Sequence, residues 1–207
     1  MAITYPISLP TTGISSIEWR TVNSTVTSQS PFTFKQQIIA HGGQRWEATV
    51  NLPAMKRDLA AQWKASLISL KGSEGTMLLG DPNYAAPRGT LLLDGTQAES
   101  LTNHVTGNKG DTFFTVAMDD DTKTILAGDY LQVGTEADSR LYQALEDLTG
   151  DGTLEVWPDL RVDYNQRGFA TNNTKGVFRL ANNITSWSID NASIYGISFD
   201  VVERLTG

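Results

Sequence analysis

His41 and His104 are the only imidazoles in the chain, and there is no cysteine. An imidazole could serve as the general base of a nucleophilic triad or as a zinc ligand, but both roles need placed partners. His41 lies in Ala40-His41-Gly42-Gly43 and His104 in Asn103-His104-Val105, polar settings that read as loops and offer no such partners. Asp147-Leu148-Thr149-Gly150-Asp151-Gly152 has the opening of a calcium loop, yet its twelfth position is Pro158 where a bidentate glutamate is required. Its flanks are strand-like, so it reads as a hairpin turn. Asp119-Asp120-Asp121 could attract a cation, but between two apolar segments it reads as a solvated turn.

Phosphate and nucleophile motifs fare no better. His41-Gly42-Gly43-Gln44 precedes a strand, so no helix N-terminus follows it. Gly72-Ser73-Glu74-Gly75 lacks the lysine and hydroxyl residue of a phosphate-binding loop, and no Gly-x-Ser-x-Gly elbow occurs. Tryptophans 19, 46, 63, 157 and 187 could line a sugar site. Trp46 and Trp63 fall on apparent core faces and Trp157 and Trp187 within strand patterns, so core packing is the better reading. The sequon Asn183-Ile184-Thr185 carries little meaning without a secretory signal. The expectation is a protein with no catalytic, cofactor-binding or metal site, one that builds a surface or an assembly.

The elements that would carry such a surface are legible. Gln44 to Leu52 alternates, with Trp46, Ala48, Val50 and Leu52 on one face. Pro53 ends it, and a helix is expected from about Met55 to Leu70 with Ala60, Trp63, Leu67 and Leu70 in one stripe and Gly72 as its stop. Met77 to Leu79 reads as a short strand before a turn at Gly80-Asp81-Pro82-Asn83. From Arg88 the texture changes to short apolar segments: Thr90–Leu93, Thr112–Met118, Asp129–Val133, Arg140–Leu145 and Thr153–Trp157. Turn residues separate them, starting with Asp94-Gly95, which suggests a small barrel or sandwich. Asp163 to Lys175 reads as a loop leading back. Strands then begin at Val177-Phe178, around Trp187 and Ile189, and over Tyr195, Ile197, Phe199 and Val201. Val22 to Ile39, rich in Ser, Thr and Gln, reads as an extended loop or hairpin that docks on a neighbour.

The 207 residues carry a net charge of −7, which argues against a general basic face for polyanions. Hydrophobic residues make up 40% and charged residues 19%, enough for a core without covalent staples. Without cysteine, an intracellular origin is expected over a disulfide-rich secreted scaffold. Met1 to Pro10 has no basic or apolar run of a signal peptide, and no stretch is long and apolar enough to span a bilayer, so a soluble protein made in the cytoplasm is expected.

Several runs resemble distal tail proteins of long-tailed (siphovirus-type) bacteriophages. They are Ile17-Glu18-Trp19-Arg20, His41 to Ala48, Leu52 to Arg57, Gly75 to Pro82, Gly128 to Gly134, Gly176 to Leu180, and Trp187-Ser188-Ile189-Asp190 with Tyr195 to Phe199. The resemblance implies a mainly β (α+β) chain: a tail-tube-like β-sandwich with one flanking helix, formed by 1–87 and 170–207. It implies an inserted small, OB-like β-barrel over 88–169. It further implies a virion structural role without catalysis or cofactor, as a hexameric ring at the distal end of the tail, baseplate or tail tip. The partners would be other copies of the chain, the tail tube protein and hub or tail-tip proteins, with DNA passing through the lumen unbound and no membrane. The ring core would then be closed by its own C-terminal strand and survive removal of the insert. The alternatives are a carbohydrate-binding module at the host surface, carried by the insert, another tube-like ring (tail tube or tube-end protein), and, third, a tail-associated hydrolase.

Overall fold

The structure is a computed structural model, and it describes residues 3–10, 13–94, 102–190 and 193–205. The N-terminal part contributes β1 (Ile7–Ser8), β2 (Ser16–Gln29), β3 (Gln36–Asn51), β4 (Met55–Lys56), helix α1 (Arg57–Ser69) and β5 (Met77–Leu79). The middle contributes β6 (His104–Gly107), β7 (Phe113–Ala117), β8 (Thr124–Ile125), β9 (Tyr130–Val133), β10 (Arg140–Ala144), β11 (Leu148–Thr149), β12 (Gly152–Trp157) and β13 (Tyr164–Ala170). The C-terminal part supplies β14 (Gly176–Leu180), β15 (Trp187–Ile189) and β16 (Ile194–Glu203). The chain is mainly β, with a single α-helix among the described residues.

The two ends of the chain are woven into one eight-stranded system, β1-β5-β14-β16-β3-β2 in order, with β15 and β4 also pairing β16. β16 serves two neighbourhoods. Its first half pairs β15 and β4, and from Ser198 onward it pairs β3 and β14. The hydrogen bonding therefore draws one connected system in which β16 is shared between two sets of partners, and this pairing does not by itself define the expected sandwich of two facing sheets. Period-2 alternation sets the buried face: Trp46, Ala48 and Val50 of β3 lie beside Ile197 and Val201 of β16 and Phe178 and Leu180 of β14.

Helix α1 closes part of that face with Ala60, Trp63 and Leu67, and Leu70 follows at its C-cap, all at most 1% exposed. Burying a side chain such as Leu67 contributes about 1.5–3 kcal/mol before entropy. The helix starts two residues later than the apolar stripe suggests, because Met55 and Lys56 are taken by pairing with Tyr195 and Ile194. It stops as expected. Lys71 and Gly72 adopt positive φ, and Gly75 N–H reaches back to Leu70 O at 2.8 Å. A Cβ at Gly72 would lie 2.6 Å from Asn183 Oδ1, so glycine is required twice over.

The middle segment forms a closed, all-antiparallel barrel of six strands, β10-β12-β7-β6-β13-β9. An OB-like barrel has five. Four of the expected segments appear as β7, β9, β10 and β12, and two strands were not expected: β6, at His104, and β13, from within the segment Asp163–Lys175 expected to be a loop. A bulge between Tyr164 and Arg167, with Gln166 at φ 47°, breaks the alternation that would have marked it. Thr90–Leu93, expected as a strand, joins no ladder and is held to Thr124 and Thr171 by isolated backbone and side-chain hydrogen bonds. Leu93 N–H donates to Thr171 Oγ1 at 2.9 Å, and that hydroxyl donates to Leu91 O at 2.7 Å. The turn expected at Asp94-Gly95 falls partly outside the described residues. Phe114, Leu131, Val133, Tyr142, Leu154 and Phe169 fill the interior, where the Tyr142 and Tyr164 hydroxyls bond each other at 2.9 Å. Burial pushes both phenols up from their ordinary pKa.

The link from β13 to β14 passes close against Gly80, where a Cβ would run into the backbone carbonyl of Thr174. Gly80→Ala is expected to cost about 1–3 kcal/mol by overpacking. Urea denaturation would register this as a lower midpoint, and an unchanged midpoint would remove the close approach as a constraint.

Candidate functional site

No site residue was expected from the sequence, and the structure places each group considered there. His41 is exposed on β3 and His104 lies on β6 of the barrel, so the two sit on different sheets and on strands rather than loops. Asp147 Oδ1 accepts from Ala127 N–H and Asp151 Oδ1 from Met118 N–H, both at 2.7 Å. The two carboxylates of the calcium-like sequence thus tie down neighbouring turns. Asp120 caps its own turn through Thr122, whose N–H and hydroxyl both donate to Oδ1 and hold the carboxyl below its usual pKa. Ser73 N–H and hydroxyl donate to Asn183 Oδ1, so the sequon asparagine pins the turn after α1. Among the described residues no group of three or more His, Cys, Asp or Glu is placed to hold a metal ion.

Four tryptophans are core residues, as their patterns imply. Trp46 and Trp63 are buried, and Trp19 and Trp157 pack against them from partly buried positions. Trp187 departs from that reading. It is 38% exposed on β15, with Lys64 Nζ 4.4 Å from its ring centre.

Two features stand out from the polar groups above. The first is a long arm. β2 and β3 pair from Ser16↔Asn51 out to Gln29↔Gln36, through a bulge between Asn23 and Thr25. Beyond the bulge nearly every residue of both strands is exposed. The five pairs Thr25↔Ala40 to Gln29↔Gln36 extend about 17 Å. The tip is closed by Phe34 N–H donating to Ser30 O and Ser30 N–H to Lys35 O. It presents Phe32 at 91% and Phe34 at 71% exposure, and Val26, Ile38 and Ile39 add exposed aliphatic surface behind them. Lys35 is the only charged residue from Thr21 to Gln44, His41 counted as neutral. Edges of monomeric sheets are usually blunted by charge, proline or cover, and an isolated two-stranded ribbon is marginal in water. This one has apolar residues on both faces, since Val26 pairs Ile39 and its neighbour Thr27 pairs Ile38.

The second is the seam between sheet and barrel. Trp46 Nε1–H donates to Leu141 O at 3.0 Å, and its ring packs edge-on against Trp157 with centres 4.4 Å apart. Arg161 pairs with Glu203 at 2.8 Å and donates to Gln44 O at 2.8 Å. Glu203 also accepts from Trp46 N–H at 3.0 Å. Burial pushes the Glu203 carboxyl above its ordinary pKa, and Arg161 and the Trp46 amide pull it part of the way back. Tyr130, Leu141 and Trp157 of the barrel thus belong to the core of the eight-stranded system.

No protein-family model matches the chain. No curated protein matches it either. Among the described residues no helix is long and apolar enough to cross a membrane.

The arm was partly legible as the polar Val22–Ile39 stretch. The seam was not, since its partners lie 95 residues apart (Trp46 and Leu141) and 42 apart (Arg161 and Glu203).

Proposed function

We propose that the chain is a non-enzymatic structural subunit that assembles with copies of itself into a ring at the distal end of a long-tailed phage, joining the tail tube to the hub. The observation that carries this reading is the β2–β3 arm, with Lys35 as its single charge and Phe32 and Phe34 exposed at its tip. Apolar surface of this kind marks an interaction site. The free edge of β2 can continue a neighbour's sheet, and a head-to-tail contact of that type closes into a ring when its rotation allows. The sequence resemblance supplies the tail context, and the sheet-plus-helix body with an intervening barrel is compatible with it. The roles of the polar groups support a structural reading too, because Asp129, Asp147, Asp151 and Glu203 all hold backbone or arginine partners. In this reading the lumen carries DNA without gripping it, consistent with a net charge of −7.

Light scattering and electron microscopy of the purified full chain are expected to show a closed ring. Removing Thr25–Ala40 and rejoining the strands by a two-residue turn should leave a folded monomer, because the deleted residues contribute nothing to either core. A ring of unchanged mass without the arm would refute its role, and a monomeric full chain at virion-like concentration would refute the assembly reading.

A further inference from the structure

A cavity of about 280 Å³ lies at the seam, lined by the β6–β7 turn, the start of β10 and the ends of β14 and β16. Its lining is of two kinds. Leu141, Leu160, Val177, Phe178 and Leu205 are apolar, whereas Lys109, Arg140, Arg161 and Arg204 bring four cations against the two carboxylates of Asp159 and Glu203. Arg161 and Glu203 neutralise one another. That leaves Lys109, Arg140 and Arg204 with the one carboxylate of Asp159, a local excess of positive charge in a chain of net −7.

Two of these cations are held in place. Arg140 Nη1–H donates to Asp138 O at 3.0 Å and Arg204 Nη1–H to Ala137 O at 3.1 Å. Consecutive carbonyls of the 3-10 turn Glu136–Asp138 thereby anchor the side chains of two residues that line the cavity. A guanidinium has five N–H donors, so both keep donors beyond those bonds. Fixed guanidinium forks suit a planar oxyanion, and the anion relieves the repulsion between the like charges. The apolar part of the lining asks for something inorganic phosphate does not have, a hydrocarbon stem.

We propose that this cavity is a binding site for an aliphatic carboxylate, its head on Arg140 and Arg204 and its stem against Leu205, the apolar lining residue with open surface. The carboxylate could belong to an acidic side chain of a neighbouring polypeptide or to a free short-chain acid. The inference is independent of ring formation, because a monomer presents the same cavity.

The test is calorimetric titration of the full chain with hexanoate, with an acetylated Leu-Glu-Leu amide peptide, and with inorganic phosphate. Saturable binding of either carboxylate, weakened roughly tenfold or more in Arg140→Gln/Arg204→Gln, is the expected result. Tighter binding of the peptide assigns the site to a polypeptide side chain, and tighter hexanoate binding to a free acid. Melting of the unliganded variant separates loss of binding from loss of the turn clamp. Asp159→Asn, which removes the competing carboxylate and keeps both arginines, is expected to tighten binding several-fold. The proposal is overturned if neither carboxylate saturates, if the double variant binds unchanged, if Asp159→Asn binds more weakly, or if phosphate binds as tightly as the carboxylates.

Discussion

Trp46→Ala is expected to cost about 3–5 kcal/mol, the range for removing a large buried aromatic from a core. Trp46 is 2% exposed and is enclosed by Trp19, Tyr130 and Trp157 at ring-centre distances of 5.8, 6.0 and 4.4 Å. Two of those rings, Tyr130 and Trp157, come from the barrel. Its indole N–H is also the donor to Leu141 O, which would be left buried without that partner. The loss therefore falls on the joint between sheet and barrel as much as on either core. Urea denaturation followed by far-UV circular dichroism and by tryptophan fluorescence would show it. The natural protein should unfold in one transition, whereas the variant should show an earlier, probe-dependent one. Trp46→Phe, which keeps a ring but loses the donor, should fall between the two. An alanine variant within about 1 kcal/mol of the natural protein would mean that the seam contributes little.

The same joint makes excision of the barrel costly. The resemblance led to the expectation that the eight-stranded core would survive loss of residues 88–169. The geometry predicts otherwise, because excision would uncover Trp46 and strip Glu203 of its cation.

Arg161→Ala is expected to cost about 3 kcal/mol near neutral pH, because it leaves the buried Glu203 carboxylate without its counter-charge. The pH dependence follows from the direction of the Glu203 shift. Burial already raises its pKa above the usual 4.5, and loss of Arg161 raises it further. A carboxyl whose folded pKa exceeds its unfolded value binds a proton more tightly when folded. Its ionisation therefore costs stability above the folded pKa, and the cost fades as pH falls through that value towards about 4.5. The difference between variant and natural protein should accordingly shrink between neutral pH and about pH 5. Adding Glu203→Gln to Arg161→Ala should recover part of the loss at neutral pH, since an amide is cheaper to bury unpaired than a carboxylate. A loss of equal size at both pH values would show that Arg161 acts through its bond to Gln44 O and its packing instead.

Legibility followed the burial of one face. β3 was readable over Gln44–Leu52 because Trp46, Ala48 and Val50 alternate with polar residues on a half-buried sheet. Its outer half, Gln36–Gly43, carries no such signal because neither face is buried. For the same reason β2 was not read as a regular strand, and its outer part was legible only as the extended loop or hairpin expected over Val22–Ile39. β13 was hidden by a bulge that shifts its register midway, so Tyr164 and Phe169 do not share a simple period. Trp187 misled in the opposite direction: an aromatic in an alternating run is usually core, yet β15 has a partner on one side only and lies at the rim.

By itself the sequence determined the local elements: the inward face of β3, the stripe and stop of α1, the alternation of β16 and the change of texture at Arg88. Periodicity, proline and glycine act over a few residues, so one chain suffices to read them. Only the tertiary structure decided that β16 is shared between two sets of partners, that the barrel closes with six strands, and that Trp46, Arg161 and Glu203 bind barrel and sheet into one body. Those outcomes depend on pairings across tens to more than a hundred residues, where backbone groups and charges choose partners by position in space rather than by neighbours in sequence.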